Sequence, residues 1–329
     1  MLFFERRVIT MNVFLMIVFL VVGFVLLVKG ADLFVDGACD LSNKLRIPAY
    51  VIGLTVVALG TSLPEAAVSI TASFQHSNEI AIGNVIGSNV FNTLMVLGAS
   101  ALFAPVAVKD NLLRRDFPFC LGITVVMLVL MLTLSGGQIA LTRLDGIILL
   151  VIFAAFMTVS VISGKREAQK SDGAETEEIK SMPVWKCIIF IVLGAAGVIA
   201  GGQLTVSGAK SLALLAGLEE KVVALTVVAI GTSLPELVTS IVASRKNQND
   251  IAVGNVIGSN VFNILFILGA SAVIGTITTD MNAVIDTCVL IGIVAITYVF
   301  ALAKKTINRT EGIIMILMYA AYTAYLLMR

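Results

Sequence analysis

Two glutamates set in apolar sequence are the residues of this chain best placed to do chemistry. Glu65 closes the run Thr55-Val56-Val57-Ala58-Leu59-Gly60-Thr61-Ser62-Leu63-Pro64-Glu65. Glu236 closes a near-copy, Thr226-Val227-Val228-Ala229-Ile230-Gly231-Thr232-Ser233-Leu234-Pro235-Glu236, which differs by one Leu→Ile change. A carboxylate in hydrocarbon costs on the order of 3 kcal/mol on insertion scales, and no basic residue stands near either glutamate to pair with it. Two such acids in duplicated settings read as a functional site. Proline has no N–H and clashes with the carbonyl four residues back, so a helix through the first run must break or kink around 58–64. That frees carbonyls near Ala58, Gly60 and Thr61. With the hydroxyls of Thr61 and Ser62 and the Glu65 carboxylate one turn on, they make a cluster of hard oxygen donors. Ala229, Gly231, Thr232, Ser233 and Glu236 supply the same set again. Such donors suit Na⁺, Ca²⁺ or Mg²⁺ rather than copper or zinc.

A second duplicated run follows each of these: Gly83-Asn84-Val85-Ile86-Gly87-Ser88-Asn89-Val90-Phe91-Asn92 and Gly254-Asn255-Val256-Ile257-Gly258-Ser259-Asn260-Val261-Phe262-Asn263. Ser88 and Asn92 are four residues apart and share a helix face, as do Ser259 and Asn263. These four are read as lining the ion site. Asn84, Asn89, Asn255 and Asn260 are read as structural. The pairs Gly83/Gly87 and Gly254/Gly258 would let helices approach closely.

Charge counting narrows the function. Two ionised glutamates carry two negative charges, which one Ca²⁺, two Na⁺ or two protons would neutralise, while three Na⁺ would leave one positive charge. A neutral, occluded cavity can change sides of a low-dielectric layer, whereas an empty one stranding two charges cannot. That asymmetry is the physical basis of obligatory exchange, and it points to an antiporter trading Ca²⁺ for monovalent cations.

These motifs need a membrane to work in, and the composition provides for one. The chain has 329 residues, 58% apolar and 13% charged, where a soluble domain carries about 25% charged residues. Net charge is +1, which gives no reason to expect a nucleic-acid partner. His76 is the one histidine and lies in a polar link, which argues against a catalytic triad or a His-ligated zinc. Cys39, Cys120, Cys187 and Cys288 are scattered fillers. Arg6 and Arg7 before the apolar run Val13 to Val28 resemble a signal peptide, but the run is too long and has no cleavage site, so it is read as a retained span; Met11 offers a second start. Ten spans of about 20 residues are expected near 13–35, 49–74, 79–104, 116–136, 143–163, 184–207, 220–244, 250–275, 283–303 and 310–328. The expected fold is an all-α membrane protein of ten transmembrane helices, two inverted five-helix repeats with helices 2, 3, 7 and 8 broken.

The duplication keeps register: 236 − 65, 255 − 84 and 263 − 92 all equal 171, a gapless match across two spans. The polar, mixed-charge stretch 165–183 separates a first repeat, 1–164, from a second, 184–329. Lys and Arg gather in the links bearing Lys44, Arg46, Lys109, Arg114, Arg115, Lys165, Arg166, Lys246, Lys304 and Lys305. That places these links in the cytoplasm, so both termini face outward and the 165–182 linker inward. Five spans per repeat is odd, so the second repeat is inverted and brings the two motifs together at mid-membrane.

GTSLPE and GNVIGSN in duplicate resemble the sodium/calcium exchangers of the cation/Ca²⁺ exchanger superfamily, above all the compact prokaryotic and archaeal type, over 53–104 and 224–275. The resemblance implies that the first and sixth helices slide as gates across a core of eight, with four ion sites in a diamond. It implies Ca²⁺ held by Glu65, Glu236 and the carbonyls of Thr61 and Thr232, and Na⁺ sites completed by Ala58, Ser62, Ser88, Ala229, Ser233 and Ser259. It also implies three Na⁺ per Ca²⁺. Where some members have an aspartate this chain has Asn263, so the cavity lacks a third acid. The expected molecule is then a cell-membrane antiporter, monomeric, without cofactor and not an enzyme, its partners being Ca²⁺, Na⁺ and the lipid bilayer. Exchange driven by H⁺ or involving K⁺ is the alternative. An ion channel ranks lower, and an intramembrane protease using Ser62 or Ser233 lower still, because no histidine lies in the membrane.

Overall fold

The computed structural model describes residues 2–133, 138–171, 182–216 and 229–328. The chain is a nearly all-helical membrane protein. Helix α1 is Leu2–Leu45. Helix α2, Ala49–Thr61, and α3, Leu63–Phe74, are two halves bent by 52°. Then follow α4 (Glu79–Phe103), α5 (Leu112–Thr133), α6 (Arg143–Ser171), α7 (Val184–Leu215), the short α8 (Ala229–Thr232) and α9 (Leu234–Arg245). Helices α10 (Asn249–Ile274), α11 (Met281–Lys304) and α12 (Arg309–Met328) complete the chain. Among the described residues, eight helices are long and apolar enough to cross a membrane, and the bent pair makes a ninth. The remaining expected span, 220–244, lies partly outside the described residues; α8 and α9 are its described part.

Proline sets the break between α2 and α3. Pro64 stands in the first turn of α3, where its missing N–H costs nothing, and Ser62 leaves helical geometry at φ −85°, ψ 9°. Ser233 repeats this at φ −92°, ψ 7°, with Pro235 opening α9. The break falls later than the sequence suggests for one carbonyl. Ala58 O keeps a helical donor, the Ser62 N–H at 3.0 Å, and it is Gly60 that Pro64 deprives of one.

The expected breaks in the third and eighth spans take a milder form. Both helices are continuous but widen into single π-helical stretches at Asn92–Val96 and Asn263–Ile267. Each stretch opens on one of the two candidate asparagines. Such bulges release backbone from the regular ladder and concentrate at functional sites. Helices α4 and α10 also form the centre of the molecule: 72% and 78% of their apolar windows are buried, against 17% for α1 and α12.

Helices α1 and α7 lie against one another along their length, and glycine lets them. Gly23, Gly30 and Gly37 recur every seven residues, as do Gly194, Gly201 and Gly208 171 positions later. A Cβ on Gly30 would sit 2.6 Å from the Val198 nitrogen, and one on Gly194 2.5 Å from that of Phe34, so only a backbone without side chains fits at this crossing. Gly254 is similarly pressed on the Tyr50 carbonyl, where a Cβ would come within 2.7 Å. For Gly83 and Gly87 an added Cβ would meet nothing within 4 Å among the described residues. The counterparts of Tyr50, Gly53 and Leu54 fall at 221, 224 and 225, outside the described residues.

Local chemistry fixes the ends. Thr142 with Asp145, and Asn308 with Glu311, form reciprocal capping boxes at the starts of α6 and α12. Two-residue ladders tie the loops, Val106–Ala107 to Thr306–Ile307 and Ala140–Leu141 to Ile277–Thr278. Beside the first ladder, a hydrogen bond from Lys305 holds the Asp110 carboxyl below the usual carboxylate range. Helix α6 runs past Lys165 into the polar stretch because Glu167 accepts from Tyr50 Oη at 2.8 Å and Asn111 Nδ2 at 2.6 Å. Residues 172–181 of that stretch lie outside the described residues.

Candidate ion-binding site

Glu65 and Glu236 occupy the first turns of α3 and α9, directly after the two breaks, and both are wholly buried. A helix N-terminus favours a carboxylate, and each accepts from its own backbone N–H. The remaining partners are exchanged between repeats. Ser62 Oγ donates to Glu236 Oε1 at 2.7 Å, and Ser233 Oγ donates to Glu65 Oε1 at 2.8 Å. The Thr232 hydroxyl lies beside Glu65, and those of Thr61 and Ser259 lie beside Glu236. The two carboxylates are close enough to repel one another. Thr61, Ser62, Glu65, Thr232, Ser233, Glu236 and Ser259 are therefore one constellation at the junction of α2–α3 with α8–α9.

Helices α4 and α10 wall this constellation with amides. Asn263 Nδ2 donates to Asn89 Oδ1 at 3.0 Å, Asn89 Nδ2 to the Asn260 carbonyl at 3.3 Å, and Asn260 Nδ2 to Thr93 Oγ1 at 2.8 Å. Asn84 Nδ2 donates to Ser69 Oγ at 2.9 Å and to the Glu65 carbonyl at 3.3 Å. Asn255 Nδ2 donates to Ser240 Oγ at 3.0 Å, while its Oδ1 accepts from Thr61 Oγ1 at 3.1 Å. Asn89 and Asn255 thus spend both ends of their amides on the scaffold, Asn84, Asn260 and Asn263 their nitrogens, and Asn260 Oδ1 keeps no protein partner. Ser88 and Asn92 are buried on α4, one turn apart. The Ala58 carbonyl holds the Ser62 N–H and, at 3.4 Å, the Thr61 hydroxyl. Ala229 opens α8 at the edge of the described residues.

Several buried polar atoms here have no protein partner: Glu65 Oε2, Glu236 Oε2, both amide atoms of Asn92, Ser259 Oγ and Asn263 Oδ1. Leaving a buried acceptor unsatisfied costs about 1–3 kcal/mol, and more for a charged one, so a cation taken up here would satisfy groups that the chain leaves open. Every group in the set can offer oxygen and none offers sulfur or imidazole. Among the described residues no three His, Cys, Asp or Glu side chains cluster. Hard monovalent or divalent cations are what such a set takes.

The two broken helices are unequally covered. On α3 the residues Leu63, Ala67, Val68 and Thr71 are exposed; their counterparts on α9, Leu234, Val238, Thr239 and Val242, are buried or half-buried, while Phe74 and its counterpart Arg245 are both exposed. Helix α1 lies along α9, and among the described residues α7 makes no comparable contact along α3. Phe34 of α1 rests on Gly60, and Val206 of α7 rests on Gly231, so these two helices touch both breaks.

Known proteins resemble this chain in sequence and overall fold. The profile of the family described as sodium/calcium exchanger protein matches residues 15–162 and again 186–328. The putative antiporter CaxA of Alkalimonas amylolytica is 38% identical over 93% of this chain and 96% of its own length. The sodium/calcium exchanger MaX1 of Methanosarcina acetivorans is 34% identical over 93% of this chain and 97% of its own. A solved structure of the sodium-calcium exchanger NCX_Mj, soaked with zero Na⁺ and Ca²⁺, superposes with a TM-score of 0.82 at 32% identity, covering 95% of this chain and 99% of that one.

Proposed function

This chain belongs to the sodium/calcium exchanger protein family, a family of membrane transporters, and from that premise we propose that it exchanges Ca²⁺ for Na⁺ by alternating access. The cations pass through the junction of the two breaks. One observation carries the reading: two fully buried glutamates each keep an unpartnered carboxylate oxygen, in the company of unpartnered amide and hydroxyl oxygens from α4 and α10.

In this reading Glu65, Glu236 and the carbonyls of Thr61 and Thr232 hold Ca²⁺. Na⁺ ions take the carboxylates with Ala58, Ser62, Ser88, Ala229, Ser233 and Ser259, while Asn92 and Asn263 line the centre with neutral oxygen. The serine hydroxyls that donate across the repeats stabilise the carboxylates until a cation arrives, then turn their lone pairs to it. A loaded Ca²⁺ cavity is neutral, and an empty one is not, so return requires another load. The unequal cover of α3 and α9 by α1 and α7 supports two alternative seatings of that pair on the core. The halves 1–164 and 184–329 act as the two repeats, joined by 165–183 in the cytoplasm, with both termini outside and a single chain as the working unit.

The experiment is Ca²⁺ uptake by purified protein in liposomes against imposed Na⁺ and H⁺ gradients applied separately. Uptake driven by an outward Na⁺ gradient and absent from Glu65→Gln and Glu236→Gln supports the reading. Uptake indifferent to both gradients overturns exchange, and uptake driven by protons alone replaces Na⁺ with H⁺ as the counter-ion. Reversal potentials should report three Na⁺ per Ca²⁺; a value of two refutes that stoichiometry.

A further inference from the structure

We infer that Asn255 is a positioning residue for Ca²⁺ selection, holding the first break at a fixed distance from Glu236 without touching the ion. The inference rests on the exchange reading above and deepens it. Asn255 is fully buried on α10, and both ends of its amide are engaged. Its oxygen accepts from Thr61, the last residue of α2 before the break, and its nitrogen donates to Ser240, one turn beyond Glu236 on α9. One side chain from a third helix thereby links the first repeat's break to the second repeat's acidic helix.

A second link runs beside it. Ser62, adjacent to Thr61, donates directly to Glu236. The two links differ in what a cation does to them. An ion taken up by Glu236 competes for the carboxylate and for the Ser62 oxygen, so that bond loosens on loading. The Thr61–Asn255–Ser240 link is neutral throughout and uses no atom of Glu236, so it persists. Loaded or empty, the spacing between the first break and Glu236 is then set through Asn255. For a cation cage, spacing is selectivity: Ca²⁺ oxygens lie at about 2.3–2.6 Å and those of the smaller Mg²⁺ at about 2.0–2.1 Å, so a loosened frame loses its preference. The direction of the Thr61 proton matters too. Amide oxygen accepts only, so it competes with the Glu236 carboxylate, beside which the same hydroxyl lies, for the one Thr61 hydrogen.

The test measures the Ca²⁺ concentration for half-maximal Na⁺-driven uptake, the maximal rate, and competition by Mg²⁺ and Sr²⁺, in the full chain in liposomes. Outer partners of metal ligands are worth about 10- to 100-fold in affinity. Asn255→Ala is expected to raise the half-maximal concentration within that range and to flatten the order among Ca²⁺, Sr²⁺ and Mg²⁺, with a much smaller loss of maximal rate. Thr61→Val removes only the hydroxyl, keeps the backbone carbonyl and shape, and should reproduce the effect. Thr61→Ser should restore it, and the Thr61→Val, Asn255→Ala pair should be no worse than the more severe single change. If Asn255→Ala does not fold, Ser240→Ala, which cuts the far end of the link outside the carboxylate constellation, must reproduce the effect alongside Thr61→Val. Unchanged half-maximal concentration and ion order in Thr61→Val, or strictly additive effects in the pair, overturn the positioning role. Persistence of Ca²⁺ uptake in Glu65→Gln and Glu236→Gln would instead overturn the exchange reading itself, so the two failures are distinguishable.

Discussion

Ser62 and Glu236 stand in opposite repeats, as do Ser233 and Glu65, so each carboxylate depends on the other half of the chain for its hydroxyl donor. Replacing either glutamate by glutamine should remove Ca²⁺ transport. It should leave thermal unfolding in detergent unchanged or raised, since a buried charge without a counter-charge is costly; a large fall in unfolding temperature would mean that the carboxylates are structural. Ser62→Ala and Ser233→Ala should act differently. Each deletes one hydroxyl and leaves the acid, so Na⁺-driven uptake should need several-fold more Na⁺ for half-maximal rate, with a smaller change for Ca²⁺; titrating each ion at saturating levels of the other checks this. The glutamates, serines and threonines are legible in the sequence because a charge in an apolar run is conspicuous and the run is repeated. Their exchange across repeats is not, because register within one helix says nothing about which helix faces it. The role of Asn255 is hidden for the same reason: GNVIGSN shows its helix face but not that Thr61 and Ser240 converge on it from two other helices.

At the scale of the helix, the sequence reveals spans well and their deformations poorly. Hydropathy finds the apolar stretches, and Pro64 and Pro235 announce the breaks. The π-helical stretches at Asn92–Val96 and Asn263–Ile267 carry no proline or distinctive spacing to announce them. The seven-residue glycine series in α1 and α7 is the reverse case, a pattern visible once its partner is known. It makes a prediction with a sign. Gly30→Ala places a methyl against the Val198 backbone, and overpacking of this kind costs about 1–3 kcal/mol. Gly292→Ala in α11 meets nothing within 4 Å among the described residues and removes the backbone freedom of a mid-helix glycine, which is worth about 0.5–1 kcal/mol in the opposite direction. Thermal unfolding of the two variants should therefore shift to opposite sides of the parent, and equal shifts would mean that the α1–α7 crossing is looser than the structure indicates.

One ionic contact between α1 and the end of α9 has no counterpart 171 positions away. Lys246, just past α9, reaches Asp36 Oδ1 at 2.7 Å and Asp32 Oδ1 at 3.3 Å on α1, and also donates to the Asp32 carbonyl at 3.1 Å. The equivalent positions in the other half are Gln75, Gln203 and Ser207, which offer no ion pair. The clasp lies on the side where α1 covers α9, and the uncovered side is the one without it. Under alternating access, the two seatings of α1 and α7 on the core differ in energy by whatever breaks the symmetry, and this contact favours the seating described here. The three side chains are partly exposed, and such pairs contribute about 0.2–1 kcal/mol, so its loss should move the ratio of the two states by a factor between about 1.4 and 5. Lys246→Gln copies the residue of the other half and tests this directly. In a background lacking the four native cysteines, Thr239→Cys reports the covered face of α9 and Val68→Cys the open face of α3. Lys246→Gln should quicken thiol labelling at 239 and slow it at 68, and raised salt should do the same to the parent by screening the pair. If labelling at both positions is unmoved, the bias comes from the apolar packing of α1 on α9, and Lys246 is a surface charge without a part in the equilibrium.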